Sequence, residues 1–240
     1  GDHYLGLVGL ISTLMLNGRT EDLHIYAPAY LEKIIDVSLK SNRDKIWTFQ
    51  IIFHALTFDE SYKIFENDDL EIFTIPLDHK IECNGFLFKE KLGDRKIIAE
   101  KIKELEIPYV EINKIQKGAD FVNEKGEIFT NDSLTLDPNE PRSYAYCSDT
   151  QYNESVLPII EGVDLLYHES TFMHDLVEIA SERFHSTSIQ AATIAKKAEV
   201  RKLAIGHFSA RYSDLNDMLL EAQTIFKKTD LAIEGTVFEL

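Results

Sequence analysis

Two short apolar runs, each followed at once by a polar cluster, constrain the fold of this chain more than any other feature. Tyr144 to Cys147 precedes Ser148-Asp149-Thr150, and Val163 to Tyr167 precedes His168-Glu169-Ser170-Thr171. Short apolar runs bounded in this way are typical of buried strands. Layered α/β proteins place their chemistry just beyond the carboxyl ends of such strands. The sequence therefore predicts an α/β fold whose functional residues follow the strands.

Helices and strands are predicted to alternate along the rest of the chain, without an internal repeat, in one domain over residues 1–240. Predicted helices cover Leu5 to Asn17, Pro28 to Leu39, Lys96 to Leu105, Asn153 to Ile160, Ser188 to Ala198 and Leu215 to Lys227. Further strands are predicted at Leu23 to Tyr26, Trp47 to Ala55, Leu70 to Leu77, Ile81 to Phe88, Lys202 to Ile205 and Thr236 to Leu240.

The segment from about Lys89 to Phe121 differs in composition from the segments on either side of it. It is rich in charge with a weak basic bias, and Pro108 interrupts its helical pattern. Such a segment has little reason to pack fully into a core. We therefore expect an inserted arm at about residues 89–121.

Composition limits the class of protein. The chain is 44% hydrophobic over 240 residues, enough for one substantial core, and it has only two cysteines. No apolar run approaches the length of a membrane span, and no basic-then-apolar leader precedes the first predicted helix. Two cysteines are too few for a disulfide framework, so we expect a reduced, cytoplasmic protein.

The net charge of −16 argues against a protein that holds nucleic acid over its whole surface, because phosphate binding depends on Lys and Arg. A metal cleft is a separate matter. Two bound divalent cations would supply four positive charges locally, whatever the summed charge of the chain.

Five residues of metal-binding type stand at predicted loop positions: Asp2, His3, His79, Asp149 and His207. Histidine and carboxylate are zinc ligands. Their wide separation means that only folding can bring them together, and an isolated histidine at a strand end is usually a structural polar group. The spacing alone therefore leaves both interpretations open.

The sequence segments around these residues help to decide between a metal site and structural polar groups. The following segments occur in this order: Gly1-Asp2-His3-Tyr4-Leu5-Gly6-Leu7, Pro76-Leu77-Asp78-His79, Ser148-Asp149-Thr150, His168-Glu169-Ser170-Thr171, His185-Ser186-Thr187 and Gly206-His207-Phe208-Ser209-Ala210-Arg211-Tyr212. Together they resemble the ribonuclease Z family, the tRNA 3'-processing endonucleases of the metallo-β-lactamase superfamily. The metal-type residues are shared across the superfamily, whereas the last three segments are narrower and specify the family.

The resemblance implies a metallo-β-lactamase four-layer αβ/βα sandwich in which the N-terminal part of the family pattern, including two more histidines, lies ahead of Gly1. It also implies two zinc ions per subunit. His79 and the two upstream histidines would hold one zinc, Asp2, His3 and His207 would hold the other, and Asp149 would bridge them.

The resemblance further implies catalytic roles. Asp2 is expected to accept a proton from the nucleophile, and Glu169 is expected to orient His185 toward the scissile phosphate. Ser209 and Arg211 are expected to contact phosphate, although a surface salt bridge is the alternative for Arg211.

A helix beginning after Ser186-Thr187 offers two interpretations of that pair. They could cap the helix, or backbone N–H groups there could face an anion. The remaining histidines, His24, His54 and His174, lack acidic neighbours in a ligand pattern, so we expect structural or exposed roles for them.

Three candidate functions are compatible with this sequence. The first is a zinc-dependent endoribonuclease that removes 3' trailers from precursor tRNA; for it the family resemblance implies a homodimer in which the partner's arm helps to dock the tRNA. The second is another hydrolase of the same fold acting on small phosphodiesters or esters. The third is an inactive RNA-binding homologue. For the arm itself, a charged solvated helix is the alternative to a tRNA contact.

Overall fold

The computed structural model describes residues 4–39 and 48–240, and helices alternate with strands along it. The strands are β1 Leu23–Ala27, β2 Ile51–Ala55, β3 Lys63–Glu66, β4 Leu70–Pro76, β5 Asn84–Glu90, β6 Lys96–Ile97, β7 Phe121–Val122, β8 Ile128–Phe129, β9 Thr135–Leu136, β10 Ser143–Cys147, β11 Leu165–Glu169, β12 Leu203–Gly206 and β13 Thr229–Leu231. The α-helices are α1 Leu5–Leu16, α2 Ala29–Leu39, α3 Ala99–Glu104, α4 Tyr109–Gln116, α5 Asn131–Leu134, α6 Leu157–Ile160, α7 Val177–Glu182, α8 Ser188–Lys197 and α9 Asn216–Ile225. Short 3₁₀ helices cover Glu154–Val156 and His174–Leu176.

A seven-stranded sheet in the order β13-β12-β11-β10-β5-β4-β3 forms the centre of the fold. Strands β10 to β13 run parallel to one another, and β5, β4 and β3 continue the sheet in antiparallel fashion. The carboxyl ends of β10, β11 and β12 therefore meet at one edge, where the polar clusters of the sequence begin.

One face of this sheet carries the main core. Alternating side chains of the strands point to this face and pack under α6, α8 and α9, which contribute small and branched residues. Ala145, Leu166 and Ile205 come from the sheet, and Ala191 and Ala222 come from the helices. The short alanine side chains let the helices lie close to the strands.

A second layer pair is built from the amino-terminal part of the described chain. Strands β1 and β2 pair in parallel, and α1 and α2 cover them around a cluster that includes Ile11, Ile25 and Ile35. Side chains of β1 and of the seven-stranded sheet line one shared cavity of about 350 Å³. The layers thus follow the order helix, sheet, sheet, helix, in agreement with the predicted sandwich.

Helix α1 is apolar on both of its faces. Ile11 is buried against α2, whereas Leu5, Leu10 and Leu16 on the outer side are exposed. The helix has 12 residues, too few to cross a bilayer. Among all the helices in residues 4–39 and 48–240, none is both long and apolar enough for a membrane span.

The expectation that the segment around residues 89–121 has little reason to pack is wrong, because a separate small core lies in and beyond it. Ile107, Ile115, Phe121 and Leu134 are buried against one another. The helix predicted from Lys96 is also shorter than expected, because residues 96 and 97 pair with β9 as strand β6. Helix α4, which follows Pro108, was not predicted, since the charged residues of this segment mask its apolar positions.

The neck of this segment is closed by hydrogen bonds between adjacent strands. Glu90 ends β5 and Arg142 precedes β10, and the Arg142 guanidinium Nε lies 3.0 and 2.9 Å from the two carboxylate oxygens of Glu90. The backbone N–H of Glu90 also donates to the carbonyl of Arg142 at 2.9 Å. The segment therefore leaves and rejoins the sheet at one point.

The predicted strand at Thr236 to Leu240 is wrong. The last strand is β13 at Thr229–Leu231, which pairs with Leu203 and its neighbours along the edge of the sheet. Val237 in the final segment is 83% exposed. Local β-propensity favoured the later run, but pairing with β12 decides which residues form the strand.

Gly85 permits the antiparallel junction between β5 and β10. A Cβ at this position would lie 2.3 Å from the backbone carbonyl oxygen of Tyr146, which cannot rotate away. We expect Gly85→Ala to lower the free energy of unfolding by about 1–3 kcal/mol, the usual range for overpacking. Urea denaturation measures the change. Gly93→Ala is the matched control, because nothing lies within 4 Å of its added Cβ; equal effects of the two changes would contradict the prediction.

Candidate metal centre

Three neighbouring parallel strands deliver the main residues of the site. Asp149 follows β10, Glu169 ends β11 and His207 follows β12, while His185 stands just ahead of α8. One ligand atom from each of these four residues lies within 4.8 Å of the others. The sheet therefore brings together residues that are up to 58 positions apart in the sequence.

Glu169 is the buried centre of the hydrogen bonding. Its Oε1 accepts from the backbone N–H of Thr150 at 2.7 Å and from His185 Nδ1 at 2.8 Å. Its Oε2 accepts from the hydroxyl of Thr171 at 2.6 Å and from the backbone N–H of Ser186 at 3.0 Å. Four donors occupy the lone pairs of this carboxylate. Glu169 is thus an organising residue and not itself a suitable metal ligand.

The protonation of Glu169 follows from these contacts. Burial by itself raises the pKa of this carboxyl, but the hydrogen bonds from His185 and Thr171 outweigh burial, so the pKa lies below its ordinary value. Glu169 is therefore ionised at neutral pH.

His185 is oriented by that carboxylate. Its hydrogen bond to Glu169 raises the pKa of the imidazole, against the lowering effect of burial. Since Nδ1 carries the proton that is donated to Glu169, Nε2 is the nitrogen left to act on a ligand. Nδ1 lies 4.0 Å from Asp149 Oδ1, which places His185 beside the metal-type residues.

The contact between His207 and Asp149 tests whether the site suits a cation. The Thr171 hydroxyl donates its proton to Glu169, so it accepts from His207 Nδ1 at 2.9 Å. This leaves the lone pair of His207 Nε2 only 3.2 Å from Asp149 Oδ1. Two acceptors this close attract each other only when a proton or a metal ion lies between them. An imidazole nitrogen and a carboxylate oxygen are zinc donors, so these residues fit a divalent metal.

His79 lies beside this group. Its Nδ1 donates to the backbone carbonyl of Phe184 at 2.9 Å, and its ring centroid is 5.2 Å from that of His185. A hydrogen bond from Nδ1 to a backbone carbonyl fixes the tautomer in which Nε2 is unprotonated and able to bind a metal. His79 Nε2 is thus left unprotonated, although His79 is not one of the four residues whose ligand atoms lie within 4.8 Å of one another.

Unusual backbone conformations mark the same loops. In the described part of the chain, Asp149, Phe184 and His207 have φ values of 59°, 60° and 59°. Non-glycine residues rarely adopt positive φ, and such strain persists where the surrounding structure enforces it. Two of these residues are candidate ligands and the third precedes His185. Glu106 after α3 and Glu199 after α8 also have positive φ, so three of the five such non-glycine residues among those described belong to the loops of the site.

The other predicted site residues have different outcomes. Asp2 and His3 lie outside the described residues. Arg211 Nε donates to the Ser209 hydroxyl at 3.2 Å, and the Arg211 guanidinium lies over the ring of Phe172 at 4.9 Å. Among residues 4–39 and 48–240, Arg211 thus has an aromatic contact and not the alternative surface salt bridge.

The two interpretations of Ser186-Thr187 are resolved in favour of capping by Thr187. The Thr187 hydroxyl accepts from Gln190 N at 3.3 Å, and the Gln190 side chain accepts from Thr187 N at 2.9 Å. Ser186 does not cap the helix; its hydroxyl donates to the carbonyl of Thr150 at 2.7 Å. The backbone N–H groups of Ser186 and Thr187 donate to Glu169 and Gln190, so neither is available to an anion from outside the protein.

Thr171 is the functional residue that sequence reasoning missed. It joins Glu169 to His207 through one hydroxyl group. Its place in the His168-Glu169-Ser170-Thr171 segment was the available signal, but nothing in that segment indicates which residue of the chain its hydroxyl meets.

The three histidines expected to be structural lie away from this group. His24 and His54 hydrogen-bond to each other at 2.8 Å on neighbouring strands. His174 Nδ1 lies 3.0 Å from the Thr187 hydroxyl. Each contact agrees with a structural role.

Comparison with known proteins decides the family. No model of a known protein family matches the chain. Ribonuclease Z of Cytophaga hutchinsonii is 44% identical over 239 residues, which are 99% of this chain and 76% of that protein. Ribonuclease Z of Bacteroides thetaiotaomicron is 45% identical over 235 residues, covering 98% of this chain and 74% of that protein. The chain belongs to the ribonuclease Z family.

Solved structures show the fold that accompanies this membership. Human tRNase Z, short form, matches with a TM-score of 0.65 at 21% identity, covering 100% of this chain and 75% of that one. The metallo-β-lactamase fold protein YhfI from Bacillus subtilis matches with a TM-score of 0.61 at 18% identity, covering 99% and 73%. The predicted metallo-β-lactamase fold of this ribonuclease Z family member is therefore confirmed.

Replacing Glu169 tests its organising role. In Glu169→Gln an amide NH₂ group would face buried N–H donors, so we expect the free energy of unfolding to fall by about 1–3 kcal/mol. Urea denaturation followed by circular dichroism measures the change. Glu178→Gln, at an exposed position of α7, is the control; a Glu169→Gln protein as stable as this control would show that the four hydrogen bonds contribute nothing.

Proposed function

We propose that this chain is a metal-dependent endoribonuclease that removes 3' trailers from precursor tRNA and leaves a 3'-hydroxyl on the tRNA. Membership in the ribonuclease Z family supports the substrate and the reaction. The observation that carries the chemistry is the 3.2 Å distance between His207 Nε2 and Asp149 Oδ1, two atoms of the kinds that bind zinc.

The proposed cofactor is a pair of zinc ions. His79, Asp149 and His207 are the described residues that would hold them, together with Asp2 and His3 as the family pattern implies. Bound zinc ions would generate hydroxide near neutral pH and stabilise charge on the phosphodiester.

The chain's own residues then account for proton transfer. His185 is held by Glu169 through Nδ1, with its raised pKa favouring the protonated ring. A protonated Nε2 can donate to the leaving oxygen as the bond to phosphorus breaks. Because Glu169 is fully buried and held by four donors, the ring of His185 is held in one orientation. We assign Asp2 the role of accepting the nucleophile's proton.

Ser209 and Arg211 are proposed phosphate contacts at the rim of the site. Ser209 N donates to the carbonyl of Thr171 at 3.1 Å, which ties this segment to the residue that orients His207. Arg211 is exposed. Its guanidinium can leave the face of Phe172 for a phosphate, since a charged hydrogen bond is the stronger interaction.

The metal hypothesis is tested at the proposed bridging ligand. We expect Asp149→Asn, which keeps the side-chain shape, to reduce cleavage of a 3'-extended precursor tRNA by about 100-fold or more, because even residues behind the ligands cost 10–100-fold. Gel-based cleavage assays and metal analysis of the purified protein provide the two readouts. Asp68→Asn, at an exposed position between β3 and β4, is the control. A variant with full metal content and full activity would refute the role of Asp149.

The same assays separate the alternative functions. Rapid hydrolysis of a small phosphodiester without any cleavage of precursor tRNA would favour a different hydrolase of this fold. Less than one zinc per chain in a full-length preparation, together with retained tRNA binding, would favour an inactive RNA-binding homologue. Metal-dependent cleavage of precursor tRNA at its 3' trailer supports the proposed function.

The predicted arm at about residues 89–121, together with the rest of the segment between β5 and β10, is proposed to dock the tRNA as an insertion in a single metallo-β-lactamase-type domain. It has its own core around Ile115 and Leu134, and it carries exposed lysines on α3. Lys101 and Lys103 stand in the last turn of that helix. A rigid support with exposed cations suits phosphate contacts far from the metal centre.

Charge removal on α3 tests this docking. We expect the double change Lys101→Ala and Lys103→Ala to raise the KM for precursor tRNA severalfold with kcat unchanged, and to reduce the salt slope of log(kcat/KM) by about 1–2. The control is the double change Lys227→Ala and Lys228→Ala, at exposed positions beyond α9. Equal KM values for the two double variants would show that α3 is a solvated helix that does not contact the tRNA.

We further propose that the chain forms a homodimer in the cytoplasm. The exposed leucines of α1 offer an apolar surface of the kind found in subunit interfaces. Free cysteines at positions 83 and 147 agree with a reducing compartment. Sedimentation velocity measures the oligomeric state, and a monomer at micromolar concentration would contradict the dimer.

A further inference from the structure

Glu221 on helix α9 joins two loops that lead into the metal centre. Its Oε2 accepts from the backbone N–H of His174 at 3.0 Å and also from the hydroxyl of Ser188. The side chain lies outside the residues assigned to the metal and to proton transfer. It therefore acts on the site only through the two segments that it holds.

Each of these segments carries a residue of the site. The segment before His174 contains Thr171, which orients His207, and the segment before Ser188 contains His185. The two run side by side, since Phe172 and Thr187 form a parallel β-bridge. The Phe172 N–H donates to the carbonyl of Ser186 at 3.4 Å, and Ser188 N donates to the carbonyl of Phe172 at 3.0 Å.

A third segment is attached at the same place. Tyr212, five residues after His207, accepts from the backbone N–H of Met173 at 3.0 Å through its hydroxyl oxygen. Tyr212 and Glu221 thus hold consecutive backbone N–H groups, those of Met173 and His174. The loops bearing Thr171, His185 and His207 converge on this one group of contacts.

We propose that Glu221 is a positioning residue for the metal centre: it sets the spacing of the Thr171 and His185 segments so that both side chains reach the carboxylate of Glu169. This inference rests on the proposed function. Thr171 and His185 donate to different oxygens of that carboxylate, at 2.6 and 2.8 Å. A shift of one segment past the other would lengthen one of these two bonds, and small displacements of catalytic groups lower rates strongly.

The chemistry of position 221 favours a carboxylate. Ser188 is the first residue of α8, and negative charge is stabilised near the first turn of a helix. One oxygen accepts both hydrogen bonds, however, so a glutamine can keep both through its amide oxygen. An alanine can keep neither. The pair of variants therefore separates the hydrogen bonds from the charge.

The test compares Glu221→Ala and Glu221→Gln in the full chain with its metal, by steady-state cleavage of 3'-extended precursor tRNA. We expect Glu221→Ala to lower kcat by about 10–100-fold with KM within twofold of the original, and Glu221→Gln to recover most of that loss. Asp217→Ala, at an exposed position one turn earlier on α9, is the matched control. Melting temperatures of all three variants identify any loss that follows unfolding.

A second readout does not depend on activity. The His185 Nδ1 proton, held by Glu169, should give a downfield signal in the NMR spectrum of imidazole-labelled protein, assigned by its absence in His185→Asn. We expect this signal to shift or broaden in Glu221→Ala and to return in Glu221→Gln. An unchanged signal with kcat equal to that of Asp217→Ala would overturn the proposal, as would equal losses in the alanine and glutamine variants. If the metal-loaded, full-length protein cleaves no precursor tRNA, the proposed function fails, whereas the NMR comparison still decides the role of Glu221.

Discussion

The buried carboxylate of Glu169 is the interaction on which the rest of the centre depends. A charge in a fully buried position is costly unless donors surround it, and this carboxylate is stabilised by two backbone N–H groups, one hydroxyl and one imidazole. The donors come from three parts of the chain, because His185 and Ser186 are consecutive residues. Satisfying one charge therefore fixes the relative positions of the loops after β10 and β11 and of the loop before α8.

The sheet and the hydrogen bonds determine different parts of the geometry of the site. Parallel pairing aligns the ends of β10, β11 and β12 to within a residue or two, as the pairing of Cys147 with His168 and of Glu169 with Gly206 illustrates. The final orientation of the imidazoles comes from oxygen partners, namely Glu169 for His185, Thr171 for His207 and a backbone carbonyl for His79. Main-chain strain at Asp149 and His207 is tolerated because both constraints act on the same loops.

Much of the fold could be predicted from sequence because apolar runs and helix signals are local. The strand after Ser143, the strand leading to Glu169 and helix α8 all follow from short patterns. The last strand was misplaced because its pairing with β12 overrides local propensity. Thr171 could not be recognised because its partner His207 lies 36 residues away. The small core around Ile115 was hidden because its apolar residues are dispersed among charged ones.

The antiparallel neighbours β5 and β10 have a consequence for how this protein can change over time. Residues 91 to 141 form one insertion between two adjacent strands, and Glu90 and Arg142 join the ends of these strands. A longer or shorter insertion would change the free energy of folding only slightly, because the entropy cost of closing a loop grows slowly with its length. Evolution can thus enlarge, shrink or exchange this insertion without changing the pairing of β5 with β10. The loop that bears Asp149, at the other end of β10, then keeps its position.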